Sequence, residues 1–95
     1  MTRGLRFIWD PRKAISNKAK HGVSFEEASQ VFGDKIAITI QDPDRSSADE
    51  YREITIGTSG KLRIVVVAHI TNGYLIRIIS ARKAGSVEIQ QYNEG

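Results

Sequence analysis

Asn72-Gly73 separates two alternating runs, LRIVVVAHIT and YLIRIISAR, and it constrains the chain more than any other feature. Asn-Gly adopts the positive φ values of a tight primed turn, so the flanking runs are predicted to pair as an antiparallel hairpin. The preceding run, YREITIG, is joined to them through TSGK, which predicts a second hairpin. Upstream, IAITIQ alternates Ile36, Ile38 and Ile40 with polar or small neighbours, the pattern of a half-buried strand, and DPDRSSAD reads as a polar loop. Arg6 to Trp9 can add a short strand. The expectation is an α+β fold built on an antiparallel sheet of four main strands.

Treating both turns as two-residue loops fixes a register. Around Asn72-Gly73, Thr71 then pairs with Tyr74, His69 with Ile76, Val65 with Ser80 and Arg63 with Arg82. Around Ser59-Gly60, Thr58 pairs with Lys61, Ile56 with Arg63 and Arg52 with Val67. Opposed residues share a side of the sheet. One side therefore carries Arg52, Arg63, His69, Ser80 and Arg82 around Ile54, Ile56, Val65, Val67, Ile76 and Ile78. The other carries Leu62, Ile64, Val66, Ala68, Ile70, Leu75, Ile79 and Ala81, with Glu53 and Arg77. A slip of one residue would scatter the grouping. Arg63 facing Arg82 destabilises a sheet; either a phosphate sits between them, or one splays outward or pairs with an early acid.

Two N-terminal helices precede the hairpins. In DPRKAISNKAKHG, Asp10 is an N-cap, Pro11 stands at the first helical position and Gly22 lies just past the end, giving a helix from Pro11 to His21. Its apolar stripe is Ala14, Ile15 and Ala19, while Lys13, Asn17, Lys20 and His21 share a second face. Lys20 and His21 sit in the last turn, where the helix dipole favours positive charge. VSFEEASQVFG starts again with Ser24 and Glu27 at capping-box spacing, and Phe25, Ala28 and Phe32 mark a buried side ending at Gly33. A short C-terminal helix follows Ser86, with Glu88 and Tyr92 on one side. The first two helices can cover one sheet face. The last either packs over the other or leaves apolar surface for a partner.

The 95 residues make one domain, 1–95, with no cysteine and hence no disulfide or thiolate site. The longest apolar run, IVVVA, is far too short to span a membrane, and the start has no signal-peptide pattern, so a soluble, cytoplasmic protein is expected. Net charge is +3, unevenly spread: nine of eleven acids lie at or before Glu53, and Ile54 to Val87 holds none. Lys61, Arg63, Arg77, Arg82 and Lys83 fall in that stretch, which is either a solvated basic face or a site for a polyanion, phosphate before others. No cluster at metal-ligand spacing, Gly-rich phosphate loop or GxSxG elbow occurs, so no cofactor and no metal is expected. Arg, Lys, His, Glu and Tyr remain, and they suffice for metal-free RNA cleavage by attack of a ribose 2′-OH.

FIWDPRK, NKAKHGVSFEEASQVFGD, the Arg52–Gly57 strand, RIISARKA, and the terminal Glu88 and Tyr92 resemble the BrnT-type toxins, the ribonuclease half of a bacterial type II toxin–antitoxin pair. The resemblance spans nearly the whole chain. It implies a RelE-like fold, mRNA cleavage that inhibits translation, and neutralisation by a cognate BrnA-like antitoxin, with operator DNA contacted only through that antitoxin. With the basic face, it points to Lys20, His21, Arg52, Arg82, Glu88 and Tyr92 as catalytic and to Lys13, Arg63, His69, Ser80 and Lys83 as RNA-binding. Three positions depart from the family pattern: Lys35 for a usual proline, Asn72 where arginine is common, and Ile89 for the arginine after the glutamate. Two lost cations open the alternative of a non-catalytic module that only binds nucleic acid or its antitoxin.

Overall fold

The computed structural model describes residues 4–42 and 51–95; the polar loop expected at 42–49 lies outside these apart from Asp42. The elements run β1 (Arg6–Ile8), α1 (Pro11–His21), α2 (Phe25–Gln30), a 3-10 turn (Val31–Gly33), β2 (Ile38–Gln41), β3 (Arg52–Thr58), β4 (Ile64–Asn72), β5 (Leu75–Lys83) and α3 (Ser86–Glu94). The sheet has five strands in the order β1-β5-β4-β3-β2. It is mixed, because β1 lies parallel to β5 while the other pairs are antiparallel. The expected α+β architecture stands, with the short N-terminal strand as a full member of the sheet.

Local chemistry sets the helix ends. Asp10 accepts from the Arg12 N–H at 2.9 Å, and Gly22 closes α1 in the left-handed region at φ 71°, its N–H donating to the Lys18 carbonyl. Ser24 caps α2 by accepting from the Glu27 N–H at 3.0 Å. Only half of the capping box forms, since the Glu27 carboxylate turns away to Arg63 and Ser59. α3 begins one residue earlier than expected, with Gly85 rather than Ser86 as its N-cap and Ser86 inside.

The core lies between the two helices and one face of the sheet: Val23, Phe25, Ala28 and Val31 pack on Val65, Val67, Ile76, Ile78 and Ala81. Gly57 lets the 3-10 turn approach β3, since a Cβ there would stand 3.1 Å from Val31 and Ala37. α1 buries a different side from the one expected. Ile15 is 74% exposed, and Asn17 is the buried residue.

Both predicted registers are displaced. The second hairpin turns at Gly73-Tyr74, pairing Asn72 with Leu75, Thr71 with Ile76 and His69 with Ile78. Gly73 has φ 61° and Tyr74 no positive φ, which suits a primed turn needing glycine first. A bulge then shifts the pairing so that Ala68 faces Ser80 and Val66 faces Arg82. The first hairpin is not a two-residue loop: Thr58 pairs with Ile64, and Ser59–Arg63 form a wider turn with Leu62 at φ 62°. Each slip is odd in effect beyond the bulge. β4 therefore flips relative to both neighbours, while β3 and the end of β5 stay in phase.

On the helix-covered face, His69 is 1% exposed and joins a line of side chains crossing three strands. Its Nε2 is 2.8 Å from Thr55 Oγ1, its Nδ1 3.1 Å from Thr71 Oγ1, and Thr55 meets Thr39 at 2.7 Å. Phe32 stands edge-on to the ring. Burial pushes its pKa down from 6.5 to about 4. A depressed histidine pKa means that the unfolded chain binds the proton more readily. Stability is expected to be full above pH 6.5 and to fall by roughly 2 kcal/mol by pH 5. Urea midpoints at pH 7 and pH 5 check this; His69→Gln should abolish most of the decline, and His21→Gln should not.

Candidate functional site

The face away from α1 and α2 is only partly covered, α3 lying against β3. Beside α3 a groove of about 440 Å³ opens over the middle of the sheet, lined by His21, Asp42, Arg52, Ile54, Val66, Ala68, Ile79, Ser80, Ala81 and Arg82. A second hollow of about 220 Å³ adjoins it along α1, lined by Lys13, Ser16, Asn17, Lys20, His21, Ile79 and Ser80. His21, Ile79 and Ser80 border both. The two form one track: a largely apolar floor of β3, β4 and β5, with cations, an imidazole and the acid Asp42 along its sides.

Alternation and register explain the grouping. Ile54 faces Ala68, which faces Ser80; Ile56 faces Val66, which faces Arg82. Arg52, on the same side of β3, enters from the row that includes Ile70. His21 and Lys20 arrive from the last turn of α1, which the αL glycine ends above β5.

Arg82 is 46% exposed and already oriented. Its Nη1 donates to Glu88 Oε1 at 3.1 Å and its Nη2 to Glu88 Oε2 at 3.3 Å, with a longer Nη1 bond of 3.4 Å to the Lys83 carbonyl. Glu88 also accepts from the Gly85 N–H at 2.7 Å. The Arg82 bond foremost, then that from Gly85, holds the Glu88 carboxyl below its ordinary range. A guanidinium has five donors in a fixed fork. Glu88 takes the end-on pair, so the side-on pair, Nε and the outer Nη2 hydrogen, has no partner among the described residues.

The remaining predicted residues lie elsewhere. Arg63 was grouped with Arg82 but belongs to the turn beside α2, where its Nε and Nη2 hold Glu27 at 2.7 and 2.6 Å and Nη2 also bonds the Gly22 carbonyl at 2.9 Å. His69 was placed on the basic face and is instead sealed on the opposite one, because β4 is flipped. Tyr92 does not line the groove: its hydroxyl donates to Asp34 Oδ2 at 2.5 Å and lies 3.0 Å from Thr58 Oγ1, pinning α3 to β3. Lys83 is exposed at the end of β5 and lines neither hollow. Asn17 and Glu27 were read as a face residue and a cap; both are buried hydrogen-bonding centres. Glu27 could have been suspected from its place among the apolar residues of a very short helix. Among the described residues, no three carboxylate or imidazole groups converge as metal ligands, and no helix is long and apolar enough to cross a membrane.

Comparison with known proteins gives a consistent picture. Residues 9–88 match the family model of the ribonuclease toxin BrnT of type II toxin–antitoxin systems. Among solved structures, the chain is similar to the 1.1 Å crystal structure of the Brucella abortus ribonuclease toxin BrnT, with 28% identity and a TM-score of 0.61 over 86% of this chain and 99% of that one. No curated protein sequence matches.

Proposed function

The chain belongs to the family of BrnT ribonuclease toxins of type II toxin–antitoxin systems, and on that premise we propose that it cleaves mRNA in the open groove without a metal ion. The ribose 2′-oxygen forms a bond to the adjacent phosphorus, the P–O5′ bond breaks, and a 2′,3′-cyclic phosphate and a 5′-hydroxyl result. One group accepts the 2′ proton, and another delivers a proton to the departing 5′ oxygen. Arg82 binds the phosphate through its side-on edge, and Arg52 adds positive charge from the far side of the floor, favouring the extra negative charge of the transition state. His21 and Lys20, at the shared border of the two hollows, are the candidates for proton transfer, and Ser80 bonds the substrate from the floor. Lys13 and Lys83 attract the flanking strand. Glu88 orients Arg82.

The observation that carries this reading is the convergence of His21, Arg52, Ser80 and Arg82 on one groove. A cognate antitoxin of the BrnA type, which alone would contact operator DNA, is the corresponding protein partner, and the cytoplasm the corresponding compartment. Incubation of the purified protein with RNA in EDTA tests the proposal. Fragments ending in 2′,3′-cyclic phosphate are expected, together with no cutting of the same sequence carrying 2′-O-methyl groups. RNA retained but intact would replace the proposal with a binding module.

A further inference from the structure

The bulge in β5 decides which way Arg82 points. Ile76 and Ile78 face the core, so unbroken alternation would turn Ser80 and Arg82 inward as well. Instead Ile79 is the extra residue, His69 pairing with Ile78 and Ala68 with Ser80. Alternation is reset: Ala81 becomes the core residue, and Ser80 and Arg82 emerge in the groove. Bulges re-aim side chains in this way but cost ladder hydrogen bonds, so something must hold the reset strand.

Asn17 does so. Its Nδ2 donates to the Ala81 carbonyl at 2.8 Å and to the Val23 carbonyl at 3.0 Å, and its Oδ1 accepts from the Ala81 N–H at 3.1 Å. One side-chain amide thus pairs with both backbone groups of a single strand residue, as a neighbouring strand would. It does this where no strand is available, since β1 pairs only with Leu75–Arg77. Asn17 is 8% exposed, and a buried amide is tolerated only when it is satisfied in this manner. The same residue lies one turn before Lys20 and His21 on α1, and its bond to the Val23 carbonyl ties down the chain just past Gly22.

We propose that Asn17 is a positioning residue that locks the bulged stretch of β5 to the last turn of α1, so that Arg82, Ser80 and His21 face one groove. Its catalytic consequence rests on the function proposed above; the clamp itself does not. Asn17→Asp keeps the acceptor for the Ala81 N–H but sets a carboxylate oxygen against two carbonyls. In folded protein, kcat for RNA cleavage is expected to fall about a hundredfold at neutral pH, with a smaller change in KM. Part of that loss should return, relative to wild type, as the pH is lowered and the buried carboxyl takes up a proton that can be donated.

Amide exchange and cross-strand contacts read by NMR test the clamp without catalysis. In the wild type, the Ala81 N–H is expected among the slowest to exchange, with Arg82 opposite Val66; Asn17→Ala should lose both. Wild-type kcat in folded Asn17→Asp, or a loss that merely tracks its unfolded fraction, would overturn the positioning role. Rapid exchange at Ala81 in the wild type, or an unchanged register in Asn17→Ala, would overturn the clamp. Absence of cleavage by the wild type would instead remove the proposed function and leave the NMR result to decide the clamp.

Discussion

Arg82→Ala is expected to lower the rate of RNA cleavage by about 10²–10³ while the chain stays folded. The side chain stands on the groove side of β5 and is half exposed, so truncation opens no cavity in the core. What it removes is a guanidinium held end-on by Glu88 with its second edge available to a phosphate. Arg82→Lys should restore little, because an ammonium cannot bond Glu88 with two donors and still offer a planar pair to the substrate. Glu88→Gln separates orientation from charge: it keeps one acceptor near Arg82 and should cost less than Arg82→Ala. Cleavage rates of the three variants, measured beside their circular dichroism and thermal midpoints, check the ordering. Full activity in a folded Arg82→Ala protein would take this residue out of the mechanism.

Glu27→Ala is expected to be among the costlier substitutions for stability, at about 3 kcal/mol, which is a large share of what a domain of this size has. Glu27 is 3% exposed and receives Arg63 through two donors and the Ser59 hydroxyl at 2.7 Å. Removing the carboxylate leaves a guanidinium and a buried hydroxyl without their acceptor. Lys61 stands 4.0 Å away and is mostly exposed, so Lys61→Ala should change stability by less than about 1 kcal/mol. The Arg63 hydrogen bonds, more than any other influence, hold the Glu27 carboxyl below its ordinary value. Its contribution is therefore present throughout the neutral range and is lost only as pH falls through the depressed value. Acid denaturation should show two stages, the first from His69 beginning near pH 6.5 and the second from Glu27 below the usual glutamate range. Denaturant midpoints across pH, with His69→Gln removing the first stage alone, check the assignment.

What the sequence makes legible is what a few neighbouring residues decide. Asp10, Pro11 and Gly22 bracket α1 at its true ends, and the alternating runs become β3, β4 and β5. Register is different, because it depends on a turn five residues wide with Leu62 in the left-handed region and on one extra residue at Ile79. Neither has a local signature: leucine is a poor choice for positive φ, and Ile79 looks like any other strand isoleucine. The two displacements cancel between β3 and the end of β5, so Arg52, Ser80 and Arg82 share a side as expected. They do not cancel for β4, so His69 goes to the interior with Val65 and Val67. The buried roles of Asn17 and Glu27 were hidden for a related reason. Both depend on residues more than thirty positions away, in β5 for Asn17 and in the β3–β4 turn for Glu27, to which periodicity within a helix is blind.

The clamp between α1 and β5 joins positions 64 residues apart, and β1 reaches its partner strand from the other end of the chain. Synthesis proceeds from the N-terminus, so a nascent polypeptide that stops short of Ile79 has the helical wall of the groove and none of the β5 residues that line it. Such sequence-distant closure is late and slow. The groove is therefore completed only after β5 has been made and has met α1, however early the helices form.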